Sequence, residues 1–388
     1  MRIIHVIHTL DASDGGPPVV AASLAIAQAR LGADVHLLAY AHGPDNLDGR
    51  GVLSKLPDAD RIKLHTVDLS RFERLTMRRV RRKLGELLPS TDVVHLHGVW
   101  VPTSPFCAKV CVRAGIPYVL QPHGSLAEWA LAEKALKKRV ALRLYYGRML
   151  RRAAWLHVTS EYEAEGVIKE RLNDHVKIIP PGVEDELLKA HPHPGAFARR
   201  FPVVAGCRYV LFLARLHPGK GAEILVEAMA HLRRRGCDLH AVIAGPDAGI
   251  RAGLQQQIER LGVRDRVHLV GPVYGEAKVE ALCDAMAFCL PSMGESFGMS
   301  IAEAMAVGTP VVVSPECHFN AVTDAGAGLV VPRSPERVAD ALQRMADDEA
   351  FRRGCADAGR ALANEKYTWP AAASRTFDAY RSIAKPAR

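Results

Sequence analysis

The strongest constraint on this fold is the alternation of short apolar segments with helix-length segments along nearly the whole sequence. The apolar segments have the length of β-strands, and between most of them lie about 10–15 residues whose apolar positions recur at helical spacing. Continuous apolar strands separated by such helices are typical of parallel sheets covered on both faces. The predicted strands are 2–10, 34–40, 62–67, 92–98, 118–122, 155–160, 176–182, 209–214, 240–245, 267–271, 287–292 and 310–314. We therefore predict an α/β fold.

The predicted strands fall into two sets that meet near Pro180, Pro181 and Gly182. A chain of 388 residues exceeds one ordinary domain, and about two are expected. Helices are predicted from about Pro17, near 74–88, at 104–114, over a long region 126–153, and at 222–235, 250–262, 276–286 and 299–307. We predict two doubly wound parallel-sheet domains that face each other, the first at 1–183 and the second beginning at 184.

Positive charge is concentrated in the N-terminal half. Lys and Arg outnumber Asp and Glu by 26 to 18 in residues 1–183, but only by 25 to 24 in residues 184–388. Segments 71–84 and 134–155 carry most of the excess and mix cations with apolar residues that a helix can sort onto two faces. This pattern suits a solvated basic helix and an anionic membrane surface equally. Aromatic residues are only 6% and no binding motif is present, so we predict no nucleic-acid partner.

Other features of composition indicate a cytoplasmic protein. The sequence has no run of about 18 apolar residues, so we predict no membrane-spanning helix. Residues 1–10 carry strand-like apolar positions and no cleavage motif, which favours a strand over a signal peptide. The eight cysteines contain no C-x-x-C pair and several lie in apolar runs, so we expect buried free thiols.

Two glycine-containing loops follow predicted strands, where ligands of parallel sheets bind. Gly15 and Gly16 precede a helix that has Pro near its first position, a pattern that, taken alone, favours a structural turn over a ligand site. Arg215 and Lys220 flank the entry to the helix near 222. Cations at a helix N-terminus are unfavourable alone, so their presence beside free N–H groups indicates a phosphate site.

Histidines mark a third loop. His123 follows a strand and precedes Gly124, a position equally compatible with a structural and a functional role. His95 and His97 share a strand face and could hold a metal by residue type, but no carboxylate or cysteine partner is evident, so no metal site is predicted. The D-x-D at 58–60 lies in a polar connection and is disfavoured for the same reason.

The fourth loop is the start of GESFGMSIAEAMAVGTPVVV, residues 294–313. Glu295 stands in a glycine-flanked loop, whereas Glu303 stands early in a predicted helix. Ionised carboxylates only accept hydrogen bonds, which suits hydroxyl-rich partners, and the N–H groups of Phe297, Gly298 and Met299 suit an anion or a sugar oxygen. Cations at one loop and carboxylates at another together predict a nucleotide-sugar site.

These residues resemble the retaining GT-B glycosyltransferases of glycosyltransferase family four. The pattern E-x-F-G-x-x-x-x-E at 295–303 is typical of that family, and RLHPGKG at 215–221 is similar to its phosphate loop. The resemblance covers nearly the whole chain and implies two Rossmann-like domains facing across a cleft. It also implies that the closing segment 367–388 crosses back onto the first domain, which leaves 184–366 as the nucleotide-sugar domain. One departure is Pro181-Gly182 at the linker, where many members carry Asn-Gly.

The resemblance implies a role for each donor-side residue. Arg215 and Lys220 would bind the pyrophosphate, and Glu303 would accept hydrogen bonds from the ribose. Glu295 would hold hydroxyls of the transferred sugar, with the backbone of Phe297, Gly298 and Met299 beside it. His123 would reach the same sugar, and Gly15 and Gly16 would approach the phosphates or the acceptor.

The implied activity is transfer of a hexose from a UDP- or GDP-linked sugar to a glycan or polyprenyl-linked acceptor, with retention and without a metal or other cofactor. We expect it at the inner face of a bacterial membrane, in surface polysaccharide assembly. Two alternatives stay open. A GT-B nucleotide-sugar epimerase would release free nucleotide and sugar without any acceptor, and would have no use for the basic helices. A catalytically idle nucleotide-sugar-binding partner subunit would have no reason to keep Glu295, Glu303, Arg215, Lys220 and His123 together.

Overall fold

The computed structural model describes residues 1–42, 49–132, 134–190 and 195–384. The chain forms two compact units, Met1–Gly182 with Trp369–Arg388, and Val183–Thr368. The predicted boundaries at 183/184 and 366/367 lie within two residues of these divisions. Residues 385–388 of the predicted closing helix lie outside the described residues.

The first unit is built on a seven-stranded parallel sheet with the order β3-β2-β1-β4-β5-β6-β7. Its strands are β1 Arg2–Thr9, β2 Asp34–Ala41, β3 Lys63–Asp68, β4 Val93–His97, β5 Tyr118–Gln121, β6 Leu156–Val158 and β7 Val176–Ile178. The order reverses between β1 and β4, where His5 and His95 are register partners. In doubly wound sheets this switch point is where loops diverge and ligands bind.

The helices of the first unit are α1 Gly16–Arg30, α2 Arg71–Thr76, α3 Arg78–Leu87, α4 Thr103–Ala114, α5 Glu128–Ala132, α6 Ala135–Ala141, α7 Gly147–Arg152, α8 Glu161–Lys169 and α18 Trp369–Arg381. A π-helical turn occupies Leu142–Tyr146, and 3₁₀ turns occupy Ala12–Asp14, Gly51–Lys55, Ala59–Arg61 and Leu88–Ser90. Helix α18 packs on α1, and its Trp369 and Tyr380 share a buried cluster with Ile3 and Trp155. This packing explains why the C-terminal helix belongs to the N-terminal unit.

Two predicted helices of this unit are wrong in extent. The helix expected near 74–88 is broken at Met77, which has a left-handed backbone with φ 48°. The Glu73 carboxylate accepts the N–H groups of Arg79 at 2.9 Å and Val80 at 3.0 Å, so α2 caps the start of α3. The long region 126–153 is likewise divided, with a left-handed residue at Lys134 and the π-helical turn.

The second unit contains a six-stranded parallel sheet with the order β10-β9-β8-β11-β12-β13. Its strands are β8 Tyr209–Leu213, β9 His240–Ala244, β10 Val267–Gly271, β11 Ala287–Leu290, β12 Val311–Val313 and β13 Gly328–Val330. The order reverses between β8 and β11. Strand β13 is not among the strands that the sequence pattern predicts. The predicted α/β class with two doubly wound parallel sheets is confirmed.

The helices of the second unit are α9 Asp185–Leu188, α10 Ala196–Arg200, α11 Ala222–Arg234, α12 Arg251–Arg260, α13 Gly275–Asp284, α14 Met299–Ala306, α15 Ala321–Ala325, α16 Pro335–Asp347 and α17 Glu349–Lys366. Short 3₁₀ turns lie at Pro202–Val204, Pro218–Lys220 and Pro315–Cys317. Phe212 and Phe288, on adjacent strands β8 and β11, are fully buried in one continuous core. That core fixes the ends of both strands, from which the loops considered next emerge.

The cysteines and the helix lengths bear on the compositional predictions. All eight cysteines are free thiols, five of them buried. None of the helices in the described part of the chain combines the length and apolar character that crossing a lipid bilayer requires.

Candidate functional site

Two loops at the switch point of the second unit are joined edge to edge. One follows β8 and contains residues 214–221, and the other follows β11 and contains residues 291–298. The Met293 N–H donates to the Gly219 carbonyl at 2.7 Å, and the Ser292 hydroxyl donates to the same carbonyl at 3.2 Å. The loops therefore form one surface.

Gly221 makes this close approach possible. Its φ is 80°, and a Cβ at this position would lie 2.2 Å from the Pro291 carbonyl oxygen. An L side chain meets both a strained backbone conformation and a collision with rigid backbone. Glycine is therefore required where the β8 loop enters α11.

The joined loops bring a cation and a carboxylate into contact. Lys220 Nζ lies 2.7 Å from Glu295 Oε1, and the two side chains are 21% and 13% exposed. Arg215 is exposed and has no ion pair or side-chain hydrogen bond with any other described residue. Positive charge thus remains available at this surface for an anionic ligand.

The start of α14 adds hydrogen-bond donors. Gly298 has φ 76° and caps the helix without a side-chain hydrogen bond. Within the described part of the chain, the N–H groups of Gly298 and Met299 have no acceptor. The Phe297 ring is 7% exposed and packs on Phe319 and Tyr367, so this residue offers a ligand its backbone rather than its ring.

Glu303 belongs to a second buried ion pair. Lys278 Nζ on α13 lies 3.0 Å from Glu303 Oε1 and 3.6 Å from Glu184 Oε2. Burial raises the pKa of Glu303, against the opposing charge of Lys278. Burial lowers the pKa of Lys278, but the charges of Glu303 and Glu184 outweigh it and raise that pKa overall. Lys278 therefore stays protonated and leaves Glu303 as an oriented acceptor.

Taken together, the second unit presents two acceptor carboxylates, two cations and a helix N-terminus. Anions are stabilised by the cations and by the free N–H groups, whereas hydroxyls are bound by the carboxylates. A ligand that carries a diphosphate between two hydroxyl-rich groups matches this arrangement.

In the first unit, His123 and Gly124 form a strained turn after β5. His123 has φ 56° and Gly124 has φ 79°, both left-handed. The buried Glu163 carboxylate accepts the Gly124 N–H and, at 3.1 Å, the Thr159 N–H. Burial raises the pKa of Glu163 to about 7. Strained conformations that surrounding contacts enforce are frequent at functional sites.

His123 ends a row of buried histidines. His97 Nδ1 lies 3.0 Å from His123 Nε2, and His97 Nε2 lies 2.9 Å from His5 Nδ1. Burial lowers the pKa of His123 to about 3 and that of His5 to about 4, and lowers the pKa of His97 as well. These rings are therefore neutral near pH 7.

His5 and His97 also lie close to His95, in an arrangement that could be a metal site. The ligand atoms of His5, His95 and His97 lie within 4.8 Å of one another, the one such His, Cys, Asp or Glu group found among the described residues. However, His5 and His97 are hydrogen-bonded to each other, and His95 Nδ1 lies 2.6 Å from the Tyr380 hydroxyl. Both ring nitrogens of His5 and of His97 are thus used, by Gln28, by each other and by His123, and are not bare as a metal ion would need. His95 keeps an unpartnered Nε2, which alone makes no metal site.

Gly15 and Gly16 lie at the start of α1. Gly15 has φ 84° and precedes the helix, and Gly16 is its first residue. A Cβ at either position would have no neighbour within 4 Å, so the backbone here is open to a ligand.

The sequence patterns did not identify four residues that complete these arrangements. Lys278 and Glu184 lie beside Glu303, and Gln28 and His5 extend inward from His97, which was considered only as a metal ligand. A usable signal was present for the histidines, because His5, His95 and His97 all stand in strands that precede glycine-containing loops. For Lys278 no local pattern distinguishes it from other helix lysines.

Two family models divide the chain between them. Residues 15–182 match the glycosyl transferase 4-like domain, and residues 199–362 match the glycosyl transferases group 1 domain.

Relatives that match most of the chain, and solved structures, agree with this assignment. A phosphatidyl-myo-inositol mannosyltransferase of Mycobacterium leprae is 30% identical over 79% of this chain and 77% of its own. An alpha-D-kanosaminyltransferase of Streptomyces kanamyceticus is 28% identical over 79% of this chain and 80% of its own. The crystal structure of Anabaena Alr3699/HepE in complex with UDP and glucose superposes with a TM-score of 0.79 at 21% identity, covering 99% of this chain and 100% of that one. This chain therefore belongs to the group 1 glycosyltransferases, the GT-B enzymes of glycosyltransferase family four.

Proposed function

We propose that the enzyme transfers a hexose from a UDP- or GDP-linked sugar to a glycan or lipid-linked acceptor, with retention of anomeric configuration. The observation that carries this proposal is the joined surface of the β8 and β11 loops. There Arg215, Lys220 and the α14 N-terminus supply positive charge beside the Glu295 carboxylate. Glu303, held by Lys278, supplies the acceptor for the ribose.

The proposed reaction needs no metal ion. Arg215, Lys220 and the helix N–H groups stabilise the negative charge that develops on the leaving diphosphate, and so can replace a divalent cation. The family resemblance implies that the leaving phosphate takes the acceptor proton, and the pairing of Glu295 with Lys220 and of Glu303 with Lys278 supports this proposal. Glu295 and His123 contact the transferred sugar, and Gly15 and Gly16 approach the phosphates or the acceptor.

Donor binding is the first test. Thermal unfolding is measured with UDP, GDP, UDP-glucose and GDP-mannose, since a ligand at about 100 times its Kd adds roughly 2.7 kcal/mol of stability. We expect one nucleotide series to raise the melting temperature. If neither series shifts the melting temperature at millimolar concentration, the proposal is wrong.

Stereochemistry and metal dependence are tested on the product. We expect NMR of the transferred sugar to show the donor's anomeric configuration, with full activity in EDTA. Loss of activity in EDTA with recovery in Mn²⁺, or an inverted anomer, would contradict the mechanism. Release of nucleotide and free sugar at an undiminished rate without acceptor would favour the epimerase alternative.

We also propose that the enzyme acts at the inner face of a bacterial membrane, in surface polysaccharide assembly. Leu136 and Leu144 are each 78% exposed, and the cations Lys137, Arg139 and Arg143 between them are exposed as well. Apolar side chains presented to solvent among cations are typical of interfacial helices on anionic lipid. The name of the Mycobacterium leprae relative, a phosphatidyl-myo-inositol mannosyltransferase, is consistent with a lipid-linked acceptor.

A further inference from the structure

Gln28 starts a hydrogen-bond chain whose direction can be read from its surroundings. This side chain lies on α1 and is fully buried. Its Nε2 donates to Thr376 Oγ1 at 2.9 Å. The Thr376 hydroxyl already donates its proton to the Ala373 carbonyl at 2.8 Å, so it can only accept from Gln28. The amide orientation is thereby fixed, with Oε1 turned toward His5.

The fixed amide determines the proton position on each histidine that follows. His5 Nε2 lies 2.7 Å from Gln28 Oε1 and must carry the proton. A neutral imidazole has one donor and one acceptor, so His5 Nδ1 is bare and accepts from His97 Nε2 at 2.9 Å. His97 Nδ1 is then bare and accepts from His123 Nε2 at 3.0 Å.

Burial keeps the chain neutral. His5 and His97 are 0% and 1% exposed, and a proton added to either ring would place a charge in the core. The same burial lowers the pKa of His5 to about 4 and moves the pKa of His97 in the same direction. No ring of the chain therefore gains a second proton near pH 7.

The chain ends at His123 Nδ1. This atom has no hydrogen-bond partner among the described residues and is not one of the fully buried unpartnered atoms, so it keeps some exposure to solvent. The left-handed backbone of His123 and the Glu163 carboxylate that holds Gly124 keep the ring at this position.

We propose that Gln28, His5 and His97 are positioning residues that hold His123 as the neutral Nε2–H tautomer, with Nδ1 presented as a hydrogen-bond acceptor for a hydroxyl of the donor sugar. The tautomer follows from the chain alone, whereas the sugar hydroxyl rests on the proposed function. A bare nitrogen accepts from hydroxyls and repels phosphate oxygens, so His123 selects the sugar and not the diphosphate. With the opposite polarity, Nδ1–H would donate and would favour the phosphate.

The tautomer is measured directly by ¹⁵N NMR of protein labelled in histidine, because protonated and bare ring nitrogens have well-separated shifts. The His123 signals are assigned from their loss in His123→Gln. We expect a protonated Nε2 and a bare Nδ1 from pH 6 to 8 without ligand. A proton on Nδ1, or an imidazolium in this range, would overturn the proposal.

Two variants distinguish an effect of the hydrogen-bond chain on His123 from a general effect of altered packing. Gln28→Met conserves volume but removes the fixed acceptor, and should give His123 a mixture of both tautomers. His157→Asn changes a ring of the same cluster that bonds the Ile179 carbonyl and stands outside the chain, and should leave His123 unchanged. A single Nε2–H tautomer persisting in Gln28→Met would show that Gln28 does not set the polarity; should that variant not fold, the wild-type spectrum decides alone.

The sugar role is tested with UDP-glucose and GDP-mannose, against UDP and GDP. We expect the nucleotide sugar that binds to move the His123 Nδ1 signal, and its free nucleotide to leave the signal in place. An unmoved signal at saturating nucleotide sugar would refute the contact. Absence of any binding would instead refute the proposed function, with the unliganded tautomer unaffected.

Discussion

At the residue scale, the two site glutamates differ in their partners and should differ in their kinetics. Glu295 contacts Lys220 and is proposed to hold the transferred sugar, where a misplacement of about 1 Å can cost on the order of a hundredfold in rate. We expect Glu295→Gln to lower kcat. Steady-state kinetics with saturating donor would measure it, and a wild-type kcat would contradict the role of Glu295 at the sugar.

Glu303→Gln should act on binding instead. The ribose lies far from the reacting carbon, so loss of this acceptor removes binding shared by ground and transition states and raises the donor KM with little change in kcat. The substitution also leaves Lys278 with Glu184 alone at 3.6 Å, so a melting curve must accompany the kinetics. A fall in kcat with unchanged KM would contradict this assignment.

The site residues that sequence reasoning found are those with a local pattern. Arg215, Lys220, Glu295 and Glu303 stand in loops or helix starts whose glycines mark them. Lys278 acquires its role only by packing beside Glu303, which lies 25 residues away in sequence, and Glu184, 35% exposed, reaches Lys278 from farther along the chain. The local sequence marks neither residue, because these contacts form only when the chain folds.

At the element scale, the entry to α11 depends on one glycine. Gly221→Ala would place a methyl group 2.2 Å from the Pro291 oxygen and force the β8 and β11 loops apart. We expect donor binding to weaken at least tenfold, measured by calorimetry with the nucleotide sugar that raises the melting temperature. Gly236→Ala is the matched control, since Gly236 follows the same helix with φ 74° but has no atom within 4 Å of a Cβ.

Comparison with Gly236→Ala distinguishes the collision with Pro291 from the backbone strain that both substitutions cause. Both substitutions pay about 1 kcal/mol for a left-handed alanine, so both should lower stability similarly on that account. Equal donor affinity in the two variants would show that the spacing of the two loops is unimportant for binding.

Elements were predicted well where strands are continuous and apolar, and poorly where a helix is interrupted. The break at Met77 is stabilised by Glu73, whose carboxylate caps the next helix. The spacing of apolar residues along the sequence does not reveal that contact. The π-helical turn at Leu142–Tyr146 preserves helical spacing of apolar residues, so the pattern reads as one helix. β13 is only three residues long and half-buried, too short for a period-two signal.

At the scale of the whole molecule, the buried histidines should make the first unit sensitive to acid. Burial lowers the pKa of five clustered histidines from the ordinary 6.5: to about 4 for His5 and His157, to about 3 for His123, and well below the ordinary value for His95 and His97. The unfolded chain binds protons as the pH falls through 6.5 and the native unit does not, so stability is lost on acidification. Each histidine contributes about 1 kcal/mol of loss between pH 7 and pH 5.5.

Glu163 opposes this trend. Burial raises its pKa to about 7, so in this window Glu163 is mostly protonated in the native unit but ionised in the unfolded chain, which regains roughly 1–2 kcal/mol. The net expected loss from these six groups is on the order of 4 kcal/mol. His36 and His65, whose pKa values burial also lowers, add to this loss. Urea unfolding followed by tryptophan fluorescence reports on this unit alone, because all four tryptophans, at 100, 129, 155 and 369, belong to it. His157→Asn should reduce the slope by about one proton, whereas a midpoint that rises on acidification would refute the prediction.

Membrane attachment is also a property of the whole molecule, because it depends on both the net charge and the exposed apolar side chains. The +9 charge resides almost entirely in residues 1–183, and exposed apolar side chains accompany it in α2, α6 and the π-helical turn, among them Leu75 at 80% exposed. Each cation near an anionic leaflet contributes about 1 kcal/mol, and each inserted leucine contributes a further 1.5–3 kcal/mol, roughly. We therefore expect binding to anionic vesicles, weakened by salt, and little binding to neutral ones.

The apolar contribution is tested by substitution. Leu136→Ser combined with Leu144→Ser keeps every charge, and should weaken co-sedimentation with anionic vesicles at least tenfold at fixed salt. Ile168→Ser is the matched control, since Ile168 is 61% exposed but lies on α8, whose first turn is acidic. If the double variant sediments like the control, the leucines do not insert and the attraction is electrostatic alone. If the unaltered protein sediments equally with neutral and anionic vesicles, or with neither, the basic helices are solvated surface and the enzyme meets its acceptor elsewhere.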